Sequence, residues 1–113
     1  VVAVGLFRRR RERSGVSRDV RKASNSHLES WAAQRYGVEA YLEPKTTVTE
    51  TTVLFIAHDG EWTRRRIESK DAAYALGKKL GIPVYDAALV GYPQRMRDYQ
   101  ARQRIQQKRA EGR

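Results

Sequence analysis

The sequence predicts an α+β fold: a small antiparallel sheet of three or four strands packed by helices, in the order α-β-β-β-α-β-α, with basic extensions at both ends. Three stretches carry that expectation. Val53-Leu54-Phe55-Ile56-Ala57 is the most hydrophobic run in the chain, and Asp59-Gly60 after it is a turn dipeptide that tolerates positive φ, so a β-hairpin is expected. Ser69 precedes a helical pattern with Ala72, Ala73, Leu76 and Leu80, and such a helix needs a sheet to cover. Ser26-His27-Leu28-Glu29 fits the Ser-x-x-Glu capping box, in which two side chains satisfy the orphan amides at a helix start.

Taken in order, residues 8–23 open with Arg8-Arg9-Arg10-Arg11 and show no apolar period, so residues 1–23 are expected to form a basic arm, disordered in the free protein. The first helix is expected from Ser26, with Leu28, Trp31, Ala32 and Arg35 or Tyr36 on one stripe, Trp31 in the core and Gly37 as the left-handed stop. His27, in its first exposed turn, is read as inert. Val38 to Glu43 reads as a short strand ended by Pro44. Lys45 to Thr51 is either a loop or the beginning of the next strand, since threonine is at home in both.

A hairpin with a two-residue loop sets Ala57 opposite Trp62, Phe55 opposite Arg64 and Val53 opposite Arg66. Leu54, Ile56 and Ile67 would then face the core, leaving Trp62, Phe55, Arg64 and Arg66 on the opposite face. A bulged turn would slip the pairing by one residue and exchange the faces on one strand. The helix after Ser69 ends at Gly81 and Pro83, and Lys78 and Lys79 suit the negative end of its dipole. Gly77 inside it costs about 1 kcal/mol relative to Ala, which implies close packing against a neighbour or early fraying. Val84 to Gly91 favours a fourth strand, although Asp86-Ala87-Ala88-Leu89 also tolerates a helical turn. Pro93 suits a helix start, and Gln94 to Arg109 has no breaker. Because only Met96, Tyr99 and Ile105 can be buried, the first two turns should dock while the rest projects. Residues 24–92 are thus the compact domain and 93–113 a basic helix or tail.

Charge is segregated. Residues 1–23 hold eight Arg or Lys against two acids, and residues 93–113 hold seven against two, whereas residues 24–92 hold eight against nine. The net charge of +10 therefore sits on two arms around a neutral body, a layout suited to a polyanion. Arginine outnumbers lysine seventeen to six, which favours forked contacts to phosphate.

Catalytic and cofactor motifs are not found. The chain has no Gly-x-Gly-x-x-Gly, P-loop, His-Glu-x-x-His or Gly-x-Ser-x-Gly, so neither an enzyme nor a cofactor is expected. With two histidines and no cysteine, His58-Asp59 makes a turn rather than a metal site. Tyr85 with Asp86, and His58 with Glu61, read as exposed polar residues at strand ends. The lack of cysteine and of any apolar run of roughly 18 to 20 residues points to a cytoplasmic protein. In Val1-Val2-Ala3-Val4-Gly5-Leu6-Phe7 the arginines follow the apolar residues rather than precede them, unlike an export signal.

The expectation that remains is binding of RNA or DNA, with structured RNA, including that of a ribosome, preferred. The residues assigned to it are Arg8, Arg9, Arg10, Arg11, Arg64, Arg65, Arg66, Lys78, Lys79, Arg95, Arg97, Arg102 and Arg104 as phosphate ligands and Trp62 as a base-stacking residue. Two rival partners stay open: an anionic membrane surface met by Leu6, Phe7 and the polyarginine run, and an acidic protein met by the hairpin face. The order helix-strand-strand-strand-helix over Ser26 to Leu80 resembles the double-stranded-RNA-binding domain, which implies a second helix turned toward phosphates. That family's Lys-Lys-x-Ala-Lys reads Ser69-Lys70-Asp71-Ala72-Ala73 here, so the likeness is one of topology.

Overall fold

The computed structural model describes residues 18–47 and 50–112. Its elements are α1 (Arg18–Ala33), β1 (Glu39–Glu43), β2 (Thr52–Ile56), β3 (Trp62–Arg66), α2 (Lys70–Leu80), β4 (Val84–Asp86), α3 (Ala87–Val90) and α4 (Gln94–Glu111). The expected α+β order is observed, with the four-residue α3 added. The sheet runs β3-β2-β1-β4. β1, β2 and β3 are antiparallel as expected, while β4 joins β1 in parallel, so the sheet is mixed. The parallel pairing follows from the connection: the chain returns to β1 through α2, and a strand reached across a helix is free to run parallel.

Both faces of β2 are covered, because Val53, Leu54, Phe55 and Ile56 alternate between two cores and all are at most 1% exposed. On one face Val53, Phe55, Ala40, Leu42 and Ile67 meet Leu28 and Trp31 of α1 and Ala73 and Leu76 of α2. On the other, Tyr41, Leu54 and Ile56 meet Met96 of α4, with Trp62, Ala87 and Tyr92 packed around them. Each large apolar side chain removed from water in this way contributes about 1.5–3 kcal/mol.

The hairpin corrects the expected register. Ile56 is opposite Trp62, Leu54 opposite Arg64 and Thr52 opposite Arg66. The loop is therefore His58-Asp59-Gly60, closed by Ala57 N–H donating to the Glu61 carbonyl at 2.8 Å and Gly60 N–H to the Ala57 carbonyl at 3.0 Å. Gly60 has φ +91°, the left-handed residue of a bulged three-residue loop. The slip moves Phe55 onto the α1 and α2 face and puts Leu54 and Ile56 beside Trp62, the reverse of the expected assignment.

The start of α1 is corrected as well. The chain is already helical at Arg18, the first described residue, so residues 18–23 are helical and Ser26 sits within the helix. The buried face reaches a turn further back than the apolar pattern shows, to Ser24, which is 8% exposed. Arg21 ties the same turn to Glu68. At the other end α1 stops at Ala33; Gly37 does take a left-handed φ of +63°, but Tyr36 is exposed rather than part of the stripe. Trp31 is in the core as expected.

The remaining elements follow their local chemistry. Ser69 accepts a hydrogen bond from the Ala72 amide at 3.1 Å, and Gly81, at φ +70°, ends α2 with Ile82 N–H reaching back to the Gly77 carbonyl at 2.8 Å. Gly77 is there for close packing: a Cβ would lie 2.3 Å from Val84 Cγ2. Both readings of residues 84–91 are realised, since Asp86 ends β4 and its carboxylate caps α3 by accepting from the Ala88 amide at 2.9 Å.

Candidate nucleic-acid interface

The assigned cations divide into those bound within the fold and those left uncommitted. Arg64 is closed into a fork with Glu43, Nε to Oε1 at 2.7 Å and Nη2 to Oε2 at 3.0 Å. Thr52 and Tyr92 donate to the same carboxylate. Burial pushes the Glu43 carboxyl up, but the hydrogen bonds from Arg64, Tyr92 and Thr52 and the charge of Arg64 outweigh it and hold the group below its ordinary value. Arg95 is bound likewise, donating to Glu39 and, at 3.0 Å, to the Ala57 carbonyl. Lys79 bridges to Glu29 at 2.8 Å, which ties α2 to α1.

Arg97 and Arg102 are lightly engaged. Arg97 donates to Gln94 and the Tyr92 carbonyl, and Arg102 to the Asp59 carbonyl at 2.9 Å while lying 5.8 Å from the Tyr99 ring centroid. Among the described residues the Arg65 side chain donates only to the carbonyl of Arg64. Arg66, Lys78 and Arg104 are exposed, and their side chains make no hydrogen bond or ion pair with any described residue. Arg8 to Arg11, with Leu6 and Phe7, lie outside the described residues.

No protein-family model, curated protein or solved structure matches this chain. Trp62 is half-buried, with its ring against the Met96 cluster and the Arg64 guanidinium 5.3 Å from its centroid. Phe55 is on the opposite face, so the expected Trp62 and Phe55 stacking surface does not form. In its place Trp62 lines a cleft of about 430 Å³ with Tyr99, Gln100, Gln103 and Arg104 of α4.

Two groups of residues were outside the sequence assignment. Tyr99, Gln100 and Gln103 reach the cleft through the i, i+4 spacing of Tyr99 with Gln103 and Gln100 with Arg104, a signal present in the sequence. Arg18 and Lys22 line a second cleft, of about 380 Å³, between α1 and the start of α2. His27 is not an exposed first-turn residue: it is half-buried and within 2.9 Å of Thr63 Oγ1. Burial, then the positive charges of Arg65 and Arg35, hold its imidazole below the ordinary range.

Among the described residues no group of three or more His, Asp or Glu gathers as metal ligands would. His58 stacks on Tyr36 at 3.8 Å, and Glu61 is taken by the Arg35 fork, both contacts at 2.9 Å, so the two do not form an acid and base pair. No helix among the described residues is long and apolar enough to cross a membrane.

Proposed function

We propose that this protein is a small, non-catalytic, cytoplasmic nucleic-acid-binding protein that holds structured RNA, in preference to DNA, mainly through phosphate contacts of its basic arms. The observation that carries the reading is how its cations are used. Arg21, Arg35, Arg64, Lys79 and Arg95 are each closed onto a carboxylate and hold the body together. Arg104, Lys108 and Arg109 on the outer half of α4, and Arg66 on the sheet edge, are exposed and face no described carboxylate. Uncommitted guanidinium and ammonium groups on a projecting helix suit a phosphate backbone, which binds by counterion release. A neutral body with basic extensions is also how a small protein reaches into a folded RNA particle such as a ribosome, an argument by analogy of architecture.

The test is affinity for a structured RNA and for a DNA duplex of equal charge as salt is raised. Six to ten phosphate contacts predict a loss of about 10³–10⁵ in affinity between roughly 50 and 200 mM salt, with RNA held more tightly at every point. Absence of binding at low salt would overturn the reading. So would binding to anionic vesicles, or to one acidic protein, that persists after nuclease treatment.

A further inference from the structure

The cleft between β3 and α4 offers more than charge. Trp62 and Tyr99 line it together, the guanidinium groups of Arg64 and Arg102 lie 5.3 Å and 5.8 Å from their ring centroids, and Arg104 stands uncommitted in the lining. Gln100 and Gln103 add two amides, each able to donate and to accept, and among the described residues no carboxylate lines the cleft. We propose that it is a binding site for an unstacked nucleobase, so that the protein prefers single-stranded segments to paired ones. The proposal rests on the reading above that the partner is a nucleic acid.

The chemistry is complementary on each side of such a ligand. Aromatic faces stack on any base, the amides meet base-edge donors and acceptors, and the guanidinium groups of Arg102 and Arg104 answer the phosphates flanking a splayed-out base. A base within a duplex is stacked and paired and cannot enter. The volume of about 430 Å³ falls within the range of small-ligand sites. Both aromatic residues are held in advance. Trp62 is paired to Ile56 in the sheet and packs on the Met96 cluster. Tyr99 is set by the seating of α4 on the hairpin loop, where a Cβ on Gly60 would lie 2.9 Å from Tyr99 Cβ. A site so prearranged loses little freedom when it is filled.

The experiment titrates the full chain, labelled with fluorotryptophan, with a single-stranded oligoadenylate of about ten nucleotides and with an RNA duplex of equal phosphate number. The fluorine signal of Trp62 should shift and saturate with the single strand and stay in place with the duplex, while that of buried Trp31 serves as the internal reference. Trp62→Leu, which keeps apolar packing on Met96, should weaken single-strand binding roughly 5- to 150-fold and leave duplex binding unchanged. Gln103→Leu, at an exposed helix position, should remove the same preference without touching the core. If both strands bind equally well and the Trp62 signal does not move, or if both variants keep the single-strand preference, the cleft is not a base site although the nucleic-acid reading stands. If neither probe binds at low salt, both fall.

Discussion

Arg64 reaches across β2 to Glu43 on β1, so an arginine that reads in the sequence as a phosphate ligand joins two strands that are not neighbours. The side chain of Arg66, two residues further on, makes no hydrogen bond or ion pair with any described residue. The pair predicts a separation of effects. Arg64→Ala should lower stability by about 1–3 kcal/mol in urea unfolding, since it leaves a half-buried carboxylate without its charged donor. Arg66→Ala should leave the urea midpoint in place and lower the salt slope of nucleic-acid binding by about 1.

Acid should unfold the protein through two carboxylates. Glu43 is held below the ordinary 4.5 against the opposing effect of burial, by the donors named above. Glu61 is held below it by the hydrogen bonds from Arg35, against a smaller opposing effect of burial. A lowered carboxyl pKa in the fold contributes stability that is complete above the unfolded value and declines as pH falls through it toward the folded one. Thermal melts should therefore show a loss of stability setting in as pH drops below about 4.5, and Glu43→Gln should flatten that loss while lowering the melting temperature at neutral pH.

His27 gives a local reading of the same electrostatics. Its folded pKa should lie below 6.5 in an NMR titration, and Arg65→Ala should move it back upward, though not fully, because burial is the larger cause. A lowered pKa on a base means that the unfolded chain takes up a proton that the fold resists. Stability should accordingly decline as pH falls through 6.5 toward the folded pKa, and less so in Arg65→Ala.

Two glycines should respond to alanine against the helix-propensity rule or the turn's tolerance. Gly77→Ala, which in an open helix would be stabilising, should cost about 1–3 kcal/mol, because the new methyl meets Val84 at 2.3 Å and the Ile82 carbonyl at 2.9 Å. Gly60→Ala should release α4 from the hairpin, because its Cβ would fall 2.0 Å from the Arg95 carbonyl oxygen. Limited proteolysis within residues 94–111, with loss of far-ultraviolet helicity, is the readout.

The sequence makes the elements legible and the pairing between them less so. The Ser69 cap, the Gly81 stop, the core position of Trp31 and the docking of α4 by Met96 follow from local chemistry that the tertiary structure does not override. The hairpin register does not, because Asp59-Gly60 serves a two-residue loop and a bulged three-residue one equally well. A better signal was the absence of alternation in Val53 to Ala57, which marks a strand covered on both faces. Ser26-x-x-Glu29 misleads because the same spacing is neutral inside a helix, and the buried Ser24 gives no apolar mark of an earlier start. For the interface, type of residue does not separate Arg64 from Arg66; only the position of Glu43, brought near by the sheet, does so.

The two ladder ends of the hairpin, Ala57 to Glu61 and Ile67 to Thr51, place the amides of residues 62, 64 and 66 on the open side of β3. That rim is lined by consecutive arginines, and like charges keep a second rim of the same kind away. A polyanion laid along it would cancel the repulsion that guards the strand. The crowding of several copies on one long phosphate chain would then remove the barrier to strand-to-strand assembly, so the ratio of protein to ligand, and not protein concentration alone, would set where self-association begins.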